Sequence, residues 1–228
     1  MLFPRQVRAV VFDMDGLLIN SEAVIRDAMM ATARDMGAAL PHEVFIRMVG
    51  LTHAASDAVA QAHFGPDFPL ETFNEEVWRR AQAVFDAEDI LKDGVVEIVD
   101  WLERADIPRA VATSSGHPHV RRQLEPSGVY DRMNAIVARG DYEHGKPKPD
   151  PYLVAAGRLG VAPADCLALE DSHNGVRAAH AAGMMTVMVP DLLEATDEMR
   201  ALCLAVADTL HDVRQALQRQ YGISGSGL

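Results

Sequence analysis

Cysteine is almost absent from this sequence, which has 228 residues and only two cysteines, Cys166 and Cys203. Two cysteines this far apart argue against a disulfide scaffold or a zinc cluster, and we interpret both as reduced, buried side chains. No apolar run approaches the roughly 18 residues that span a membrane. The N-terminal stretch MLFPRQVRAVVFD also lacks the pattern of a signal peptide. We therefore expect a cytoplasmic protein with no membrane partner.

Positive charge is also scarce, because 21 Lys and Arg residues face 33 Asp and Glu residues and the net charge is −12. A field of this sign repels nucleic acids and anionic membranes. We expect no nucleic-acid partner, and an anionic substrate needs a cation supplied locally. The sequence leaves the oligomeric state open.

The hydrophobic residues, 49% of the chain, allow a sizeable core in one large domain or in a domain with a smaller insert. Short apolar or β-branched runs predict buried strands at residues 7–13, 107–115, 134–140, 165–171 and 184–190. Helical patterns separate the later runs. This alternation predicts an α/β fold with a doubly wound parallel sheet.

Polar residues and glycine mark several helix ends in the sequence. Asp93 is predicted to cap one helix, and Asp150 is predicted to cap another that begins at Pro151. Ser172 is predicted to cap a third helix, which Gly183 closes.

The segment from residue 17 to residue 88 interrupts the alternation of strands and helices. It is rich in Ala, Met, Glu and Arg and shows no convincing strand. We predict a helical insert at residues 17–88 and a catalytic core formed by residues 1–16 and 89–228. The final GISGSGL is interpreted as a flexible tail.

Residues suited to handling phosphate follow four of the predicted strands. In an open parallel sheet, chemistry gathers outside the carboxyl ends of the strands. The candidates at these ends are Asp13, Asp15, Thr113, Lys146, Glu170 and Asp171.

Two acids after the first strand suit the hydrolysis of a phosphate monoester. The carboxylate of Asp13 can attack phosphorus and form an aspartyl phosphate. Asp15 can protonate the leaving oxygen and later deprotonate water, and Gly16 permits the sharp turn that follows.

These acids repel one another and a phosphate, so a cation is required, and Mg²⁺ suits oxygen ligands. We predict Asp13 and Asp171 as ligands, Asp15 through its backbone carbonyl, and Glu170 directly or through water. The alternative for Glu170 is that it orders the loop.

A local cation and hydroxyl groups complete the predicted phosphate site. Lys146 is predicted to neutralise the phosphate and the attacking carboxylate, whereas Lys148 is interpreted as a solvated surface charge. Thr113 is predicted to hold the phosphate, with Ser114 and Ser115 beside it.

Four motifs carry a resemblance to a known family: DMDG (13–16), ATSS (112–115), GKPKPDP (145–151) and LEDSHNG (169–175). Their order and content resemble the haloacid dehalogenase superfamily, in the subgroup that includes β-phosphoglucomutase and sugar-phosphate phosphatases. The resemblance implies a Rossmann-like core, a helical cap inserted after the first strand that closes over the substrate, and dependence on Mg²⁺. It implies the same roles for the six strand-end residues.

Three positions distinguish activities within that family. Asp15 favours phosphoryl transfer over carbon–halogen cleavage, because dehalogenases generally lack this acid. The mutases resemble this chain but carry a histidine after the first motif, where Ile25 stands, and a basic cap residue, where His53 stands. His53 is interpreted either as a substrate contact or as a surface or packing residue.

Together these observations predict a Mg²⁺-dependent phosphatase acting on a small phosphorylated metabolite, such as a sugar or sugar-alcohol phosphate. One alternative is a phosphosugar mutase with the same core. Another is a non-enzymatic binding protein on this fold, which would be expected to have lost Asp13 or Asp15.

Overall fold

The computed structural model describes residues 3–51 and 53–222. Its strands are β1 (Ala9–Phe12), β2 (Arg109–Gly116), β3 (Ala135–Arg139), β4 (Cys166–Glu170), β5 (Met185–Met188) and β6 (Ala205–Val206). Its helices are α1 (Ser21–Asp35), α2 (His42–Ile46), α3 (His53–Phe64), α4 (Leu70–Ala87), α5 (Val95–Arg104), α6 (His117–Leu124), α7 (Asp150–Leu159), α8 (His173–Ala181), α9 (Asp197–Leu202) and α10 (Leu210–Tyr221).

All six strands form one parallel sheet in the order β3-β2-β1-β4-β5-β6. The chain builds outward from β1 in one direction and from β4 in the other, so the strand order reverses between these two neighbours. Ligands in open α/β sheets bind at such a reversal, outside the carboxyl ends of the strands. The predicted fold class, an α/β fold with a doubly wound parallel sheet and a helical insert, is confirmed.

The sheet forms because its central strands are apolar on both faces. Every residue of β1, β4 and β5 is buried, as expected for parallel strands that helices cover on both sides. Each of the five predicted runs coincides with a strand, although β2 extends one residue beyond its run, to Gly116. The sixth strand, β6, was not predicted, because two residues are too short to show a pattern.

The helix ends show which local predictions hold. The Ser172 side chain accepts a hydrogen bond from the Gly175 amide and caps α8, as predicted. The prediction for Asp93 is wrong: Gly94, at φ 84°, occupies the capping position, and the Asp93 side chain lies 3.2 Å from His211. The prediction for Asp150 is wrong by one residue: α7 begins at Asp150 itself, and Pro149 occupies the capping position.

The chain divides into two compact units, Met1–Ile19 with Leu91–Leu228 and Asn20–Ile90. We call the first the core and the second the cap. The cap begins three residues after the predicted start of the insert and ends two residues after its predicted end. Its first boundary lies later because the Leu18 and Ile19 amides bond back to the Met14 carbonyl and Ile19 pairs with Leu91.

Four helices, α1 to α4, build the cap. It contains a cluster of the buried Phe73 with the half-buried Phe64 and Phe68, whose ring centroids lie 4.1 to 5.6 Å apart. Arg80 on α4 bonds Asp35 on α1 at 2.8 Å. Among the described residues, no helix is both long and apolar enough to cross a membrane.

Candidate active site

Three acids meet where β1 and β4 end. Asp13 follows β1, Glu170 ends β4, and Asp171 follows it. The parallel register pairs Phe12 with Leu169, and the Asp13 amide donates to the Leu169 carbonyl at 3.0 Å. This register places carboxylate oxygens of all three buried acids within 4.8 Å of one another. The strand reversal thus concentrates negative charge at one point of the core.

Lys146 supplies the local cation that the sequence requires. It comes from the loop between β3 and α7, and its side chain is 7% exposed. Its Nζ donates to Asp13 Oδ1 at 2.5 Å and to Glu170 Oε1 at 2.6 Å. Burial lowers the pKa of Lys146, but the attraction of Asp13 and Glu170 outweighs burial and holds it well above its ordinary value. The ammonium therefore stays charged between two carboxylates.

Asp13 has an unusual protonation equilibrium for an aspartate. Burial raises its pKa to about 7, because a desolvated carboxylate is disfavoured. Lys146 opposes this effect, whereas Glu170 and Asp15 add repulsion in the same direction as burial. Added positive charge beside Asp13 would favour its ionised, nucleophilic form.

Glu170 is fully buried and accepts four hydrogen bonds. Oε1 accepts from Lys146 at 2.6 Å and from the Tyr152 hydroxyl at 2.5 Å. Oε2 accepts from the Ser172 amide at 3.2 Å and its hydroxyl at 3.0 Å. A Cβ on Gly175 would lie 1.8 Å from Oε1, so α8 approaches this carboxylate too closely for any other residue there.

Tyr152 was not predicted as part of the site. It lies in the first turn of α7 and is fully buried. A tyrosine in an amphipathic helix is ordinarily a core residue, and no local motif marks its hydroxyl as a partner of Glu170. Only the packing of α7 against the sheet brings the two side chains together.

The second acid, Asp15, is held by hydroxyls in the last residues of strand β2. Its Oδ2 accepts from Thr113 Oγ1 at 3.2 Å and from Ser115 Oγ at 2.7 Å. Thr113 Oγ1 in turn accepts from the Ser115 amide at 3.0 Å, and Ser114 is exposed. The His119 Nε2 atom lies 3.7 Å from Asp15 Oδ1. Thr113 and Ser115 thus orient Asp15, a contact that the sequence did not predict.

The donors fit a magnesium ion. Asp13, Glu170 and Asp171 offer only carboxylate oxygens, the ligands that hard cations prefer. Gly16, at φ 85°, lies so close to Asp171 that a Cβ there would sit 2.2 Å from Oδ2. The turn after β1 therefore requires glycine, both for its backbone conformation and for the space beside this acid.

The cap contains a cavity of about 230 Å³, roughly the liquid volume of eight water molecules. Its wall is mainly apolar and includes Ile25 and Trp78, and its polar side chains include Glu22, Asp57 and Asn74. Asn74 Nδ2 donates to Asp57 Oδ1 at 2.9 Å. Among the described residues that line this cavity, none is Lys or Arg.

The structure does not test the prediction for His53. His53 begins α3, and its side chain lies outside the described residues. Its role stays a prediction.

Comparisons with known proteins agree with this architecture. The family model for haloacid dehalogenase-like hydrolases matches residues 7–183. A Drosophila melanogaster protein named "Probable pseudouridine-5'-phosphatase" is 35% identical over 200 residues, which cover 82% of this chain and 83% of that protein. Hexitol phosphatase B of Escherichia coli K12 is 32% identical over 196 residues, covering 82% of this chain and 85% of that enzyme.

A solved structure shares the whole architecture. The crystal structure of a haloacid dehalogenase-family hydrolase from Deinococcus radiodurans, with bound phosphate and sodium, superposes with a TM-score of 0.81. It is 26% identical and covers 96% of this chain and 98% of its own.

The fold is a doubly wound parallel α/β sheet, and the candidate site is a cluster of buried carboxylates at its strand reversal. The chain belongs to the haloacid dehalogenase-like hydrolase family, and it is a phosphoric monoester hydrolase. The predicted resemblance, to the subgroup of sugar-phosphate phosphatases and β-phosphoglucomutase-like proteins, is confirmed.

Proposed function

We propose that this protein is a Mg²⁺-dependent phosphatase that hydrolyses a sugar or sugar-alcohol phosphate through an aspartyl phosphate on Asp13. The observation that carries the proposal is the Asp13 carboxylate, buried and bonded at 2.5 Å to the Lys146 ammonium. An acid held by two hydroxyls, Asp15, follows two residues later. We also propose that the enzyme is cytoplasmic.

In the first half-reaction, a carboxylate oxygen of Asp13 forms a bond to phosphorus as the bond to the leaving oxygen breaks. Asp15 donates a proton to that oxygen, so the alcohol leaves neutral. In the second half-reaction, Asp15 takes a proton from water, the water oxygen bonds to phosphorus, and the bond to Asp13 breaks. The products are an alcohol and inorganic phosphate, and both acids are restored.

Charge neutralisation supports both steps, because phosphoryl transfer depends mainly on positioning and on offsetting negative charge. Lys146 faces Asp13 and, in this proposal, the phosphate oxygens. Bound Mg²⁺ would be held by Asp13, Asp171, Glu170 and the Asp15 carbonyl, and would offset the repulsion between these acids and the phosphate dianion.

The hydroxyl side of the site has two proposed tasks. Without substrate, the Thr113 and Ser115 hydroxyls donate their single protons to Asp15 and orient it. When the ester binds, we propose that these hydroxyls turn to the phosphate oxygens, together with the exposed Ser114 and backbone N–H groups. Glu170 already accepts four hydrogen bonds, so we assign it chiefly to ordering Lys146 and count its metal contact as secondary.

The substrate class rests on the relatives and on the cap. The cavity of the cap offers apolar walls with Glu22, Asp57 and Asn74, a lining that suits a neutral polyhydroxyl group. A mutase passes through a bisphosphate and needs a cation for the second phosphate. Ile25 and the absence of Lys and Arg among the described lining residues favour a phosphatase over that alternative. Membership of a hydrolase family removes the support for a non-enzymatic binding protein.

The test is a phosphate-release screen against sugar, sugar-alcohol and nucleoside monophosphates with Mg²⁺, with Asp13→Asn as the blank. We expect release from at least one polyol or sugar ester and none from the blank. Sugar phosphates incubated with trace bisphosphate provide the mutase arm. Isomer formation without phosphate release would replace the phosphatase with a mutase, and inactivity on the whole panel would overturn the proposal.

A further inference from the structure

A lysine outside the four motifs holds the turn that carries Asp15. Lys92 Nζ donates to the Gly16 carbonyl at 2.7 Å and to Asp191 Oδ1 at 2.6 Å. The Lys92 amide donates to the Leu18 carbonyl at 2.9 Å. Lys92 therefore contacts the turn after β1 at two points, one through its backbone and one through its ammonium.

The Gly16 peptide controls the surroundings of two active-site acids. Gly16 directly follows Asp15, and its Cα lies so close to Asp171 that a Cβ would sit 2.2 Å from Oδ2. A shift of this peptide therefore moves Asp15 away from its hydroxyl partners or presses the turn against Asp171. The bond from Lys92 opposes such a shift.

The ion pair of Lys92 with Asp191 is built into the core. The two side chains are 25% and 14% exposed, so both are largely shielded from water. Asp191 Oδ2 is buried and has no hydrogen-bond partner within residues 3–51 and 53–222. Such a carboxylate is costly without a cation beside it, so Asp191 fixes the ammonium while the ammonium offsets the carboxylate.

We infer that Lys92 is a positioning residue for phosphoryl transfer, which orients Asp15 by holding the Gly16 carbonyl. The inference rests on the proposed function. Lys92 acts through the turn and touches neither the phosphate nor the leaving group, so its loss should lower kcat and leave KM nearly unchanged.

The experiment must separate positioning from stability, because Lys92→Met also leaves Asp191 without its cation. The double variant Lys92→Met with Asp191→Asn removes that isolated charge. The third variant, Lys92→Arg, retains a cation that can reach both partners. The control is Lys148→Met, the same change at an exposed lysine.

We expect Lys92→Met to lose about 10- to 100-fold in kcat, the effect of a displacement on the ångström scale, and to melt at a lower temperature. The double variant should regain most of the melting temperature while kcat stays low. Lys92→Arg should recover most of kcat, and Lys148→Met should match the wild type. All variants are assayed at saturating Mg²⁺ with a substrate from the screen.

Two results would overturn the inference alone: full kcat in folded Lys92→Met, or recovery of kcat together with the melting temperature in the double variant. The second result would mean that Lys92 only stabilises the core. Inactivity of the wild type itself would instead overturn the proposed function, and this inference with it.

Discussion

The candidate site in the core consists of charged side chains held by hydrogen bonds, whereas the cavity in the cap is lined mainly by apolar side chains. In the core, Glu170 alone accepts four hydrogen bonds, and Lys146 lies between two carboxylates. In the cap, Ile25 and Trp78 line the cavity, and neither residue belongs to one of the four sequence motifs. Buried charges must be paired, so few arrangements are tolerated in the core. An apolar wall tolerates many residues, and this freedom suits the region to which we assign substrate choice in the proposed function.

The largest effect expected in the core is that of Asp13→Asn. Phosphate release should fall by at least about 1,000-fold, because an amide cannot form the acyl phosphate. The fold should be kept, since asparagine has the same shape and carries no charge into this buried position. Phosphate release and circular dichroism measure the two expectations. A folded variant with more than a few per cent of the activity would exclude Asp13 as the nucleophile.

A pair of glycines tests how tightly the core is packed around Glu170. A Cβ on Gly175 would lie 1.8 Å from Glu170 Oε1, whereas a Cβ on Gly157 has no atom within 4 Å. Gly175→Ala should cost about 3 kcal/mol in the free energy of unfolding. Gly157→Ala, in the last turn of α7, should increase the free energy of unfolding by up to about 0.5 to 1 kcal/mol.

Urea unfolding followed by circular dichroism gives both values. Equal stability of the two alanine variants would mean that α8 does not approach Glu170 as the structure has it.

The hydroxyl of Tyr152 tests whether the network around Glu170 affects catalysis. Tyr152→Phe removes one of the four donors and should lower the free energy of unfolding by about 1 to 2 kcal/mol. It should also lower kcat about tenfold with KM nearly unchanged, because the Glu170 carboxylate that binds Lys146 is then less ordered.

Tyr130→Phe, the same change at a half-buried tyrosine outside the site, is the control. Phosphate-release assays give kcat and KM, and denaturant unfolding gives the free energy of unfolding. If kcat were unchanged, the Tyr152 hydroxyl would be a packing feature only.

The most restricted effect is expected in the cap, because it should be confined to substrates with a large leaving group. Ala60 lines the cavity and is 3% exposed. Ala60→Leu should fill part of the cavity and lower kcat/KM about tenfold for a sugar phosphate. Acetyl phosphate, whose leaving group is small, should be hydrolysed nearly as before.

Ala83→Leu, on the exposed side of α4, is the matched control. The value of kcat/KM is measured for the sugar phosphate and for acetyl phosphate with each variant. An equal loss for both substrates would mean that the variant disturbs catalysis generally and that the cavity does not select the leaving group.

Local pattern was sufficient for much of the fold. Each predicted apolar run coincides with a strand, because a parallel strand covered by helices on both sides is apolar on both faces. Ser172 caps α8 because its hydroxyl reaches an amide within its own turn. The capping position predicted for Asp93 belongs to Gly94, whose positive φ suits glycine. Strand β6 was missed, since two residues show no period.

By itself, the sequence determined the chemical groups of the site. Asp13, Asp15 and Asp171 stand just after strand ends and Lys146 stands in the loop that follows β3. The carboxyl ends of the strands of a parallel sheet lie along one edge.

The tertiary structure alone decided which groups bond to which. Tyr152 reaches Glu170, Thr113 turns to Asp15, and Lys92 holds the Gly16 carbonyl. The cavity of the cap likewise exists only once four helices pack. The physical reason is separation along the chain: Lys92 and Gly16 lie 76 residues apart, so no local pattern can relate them.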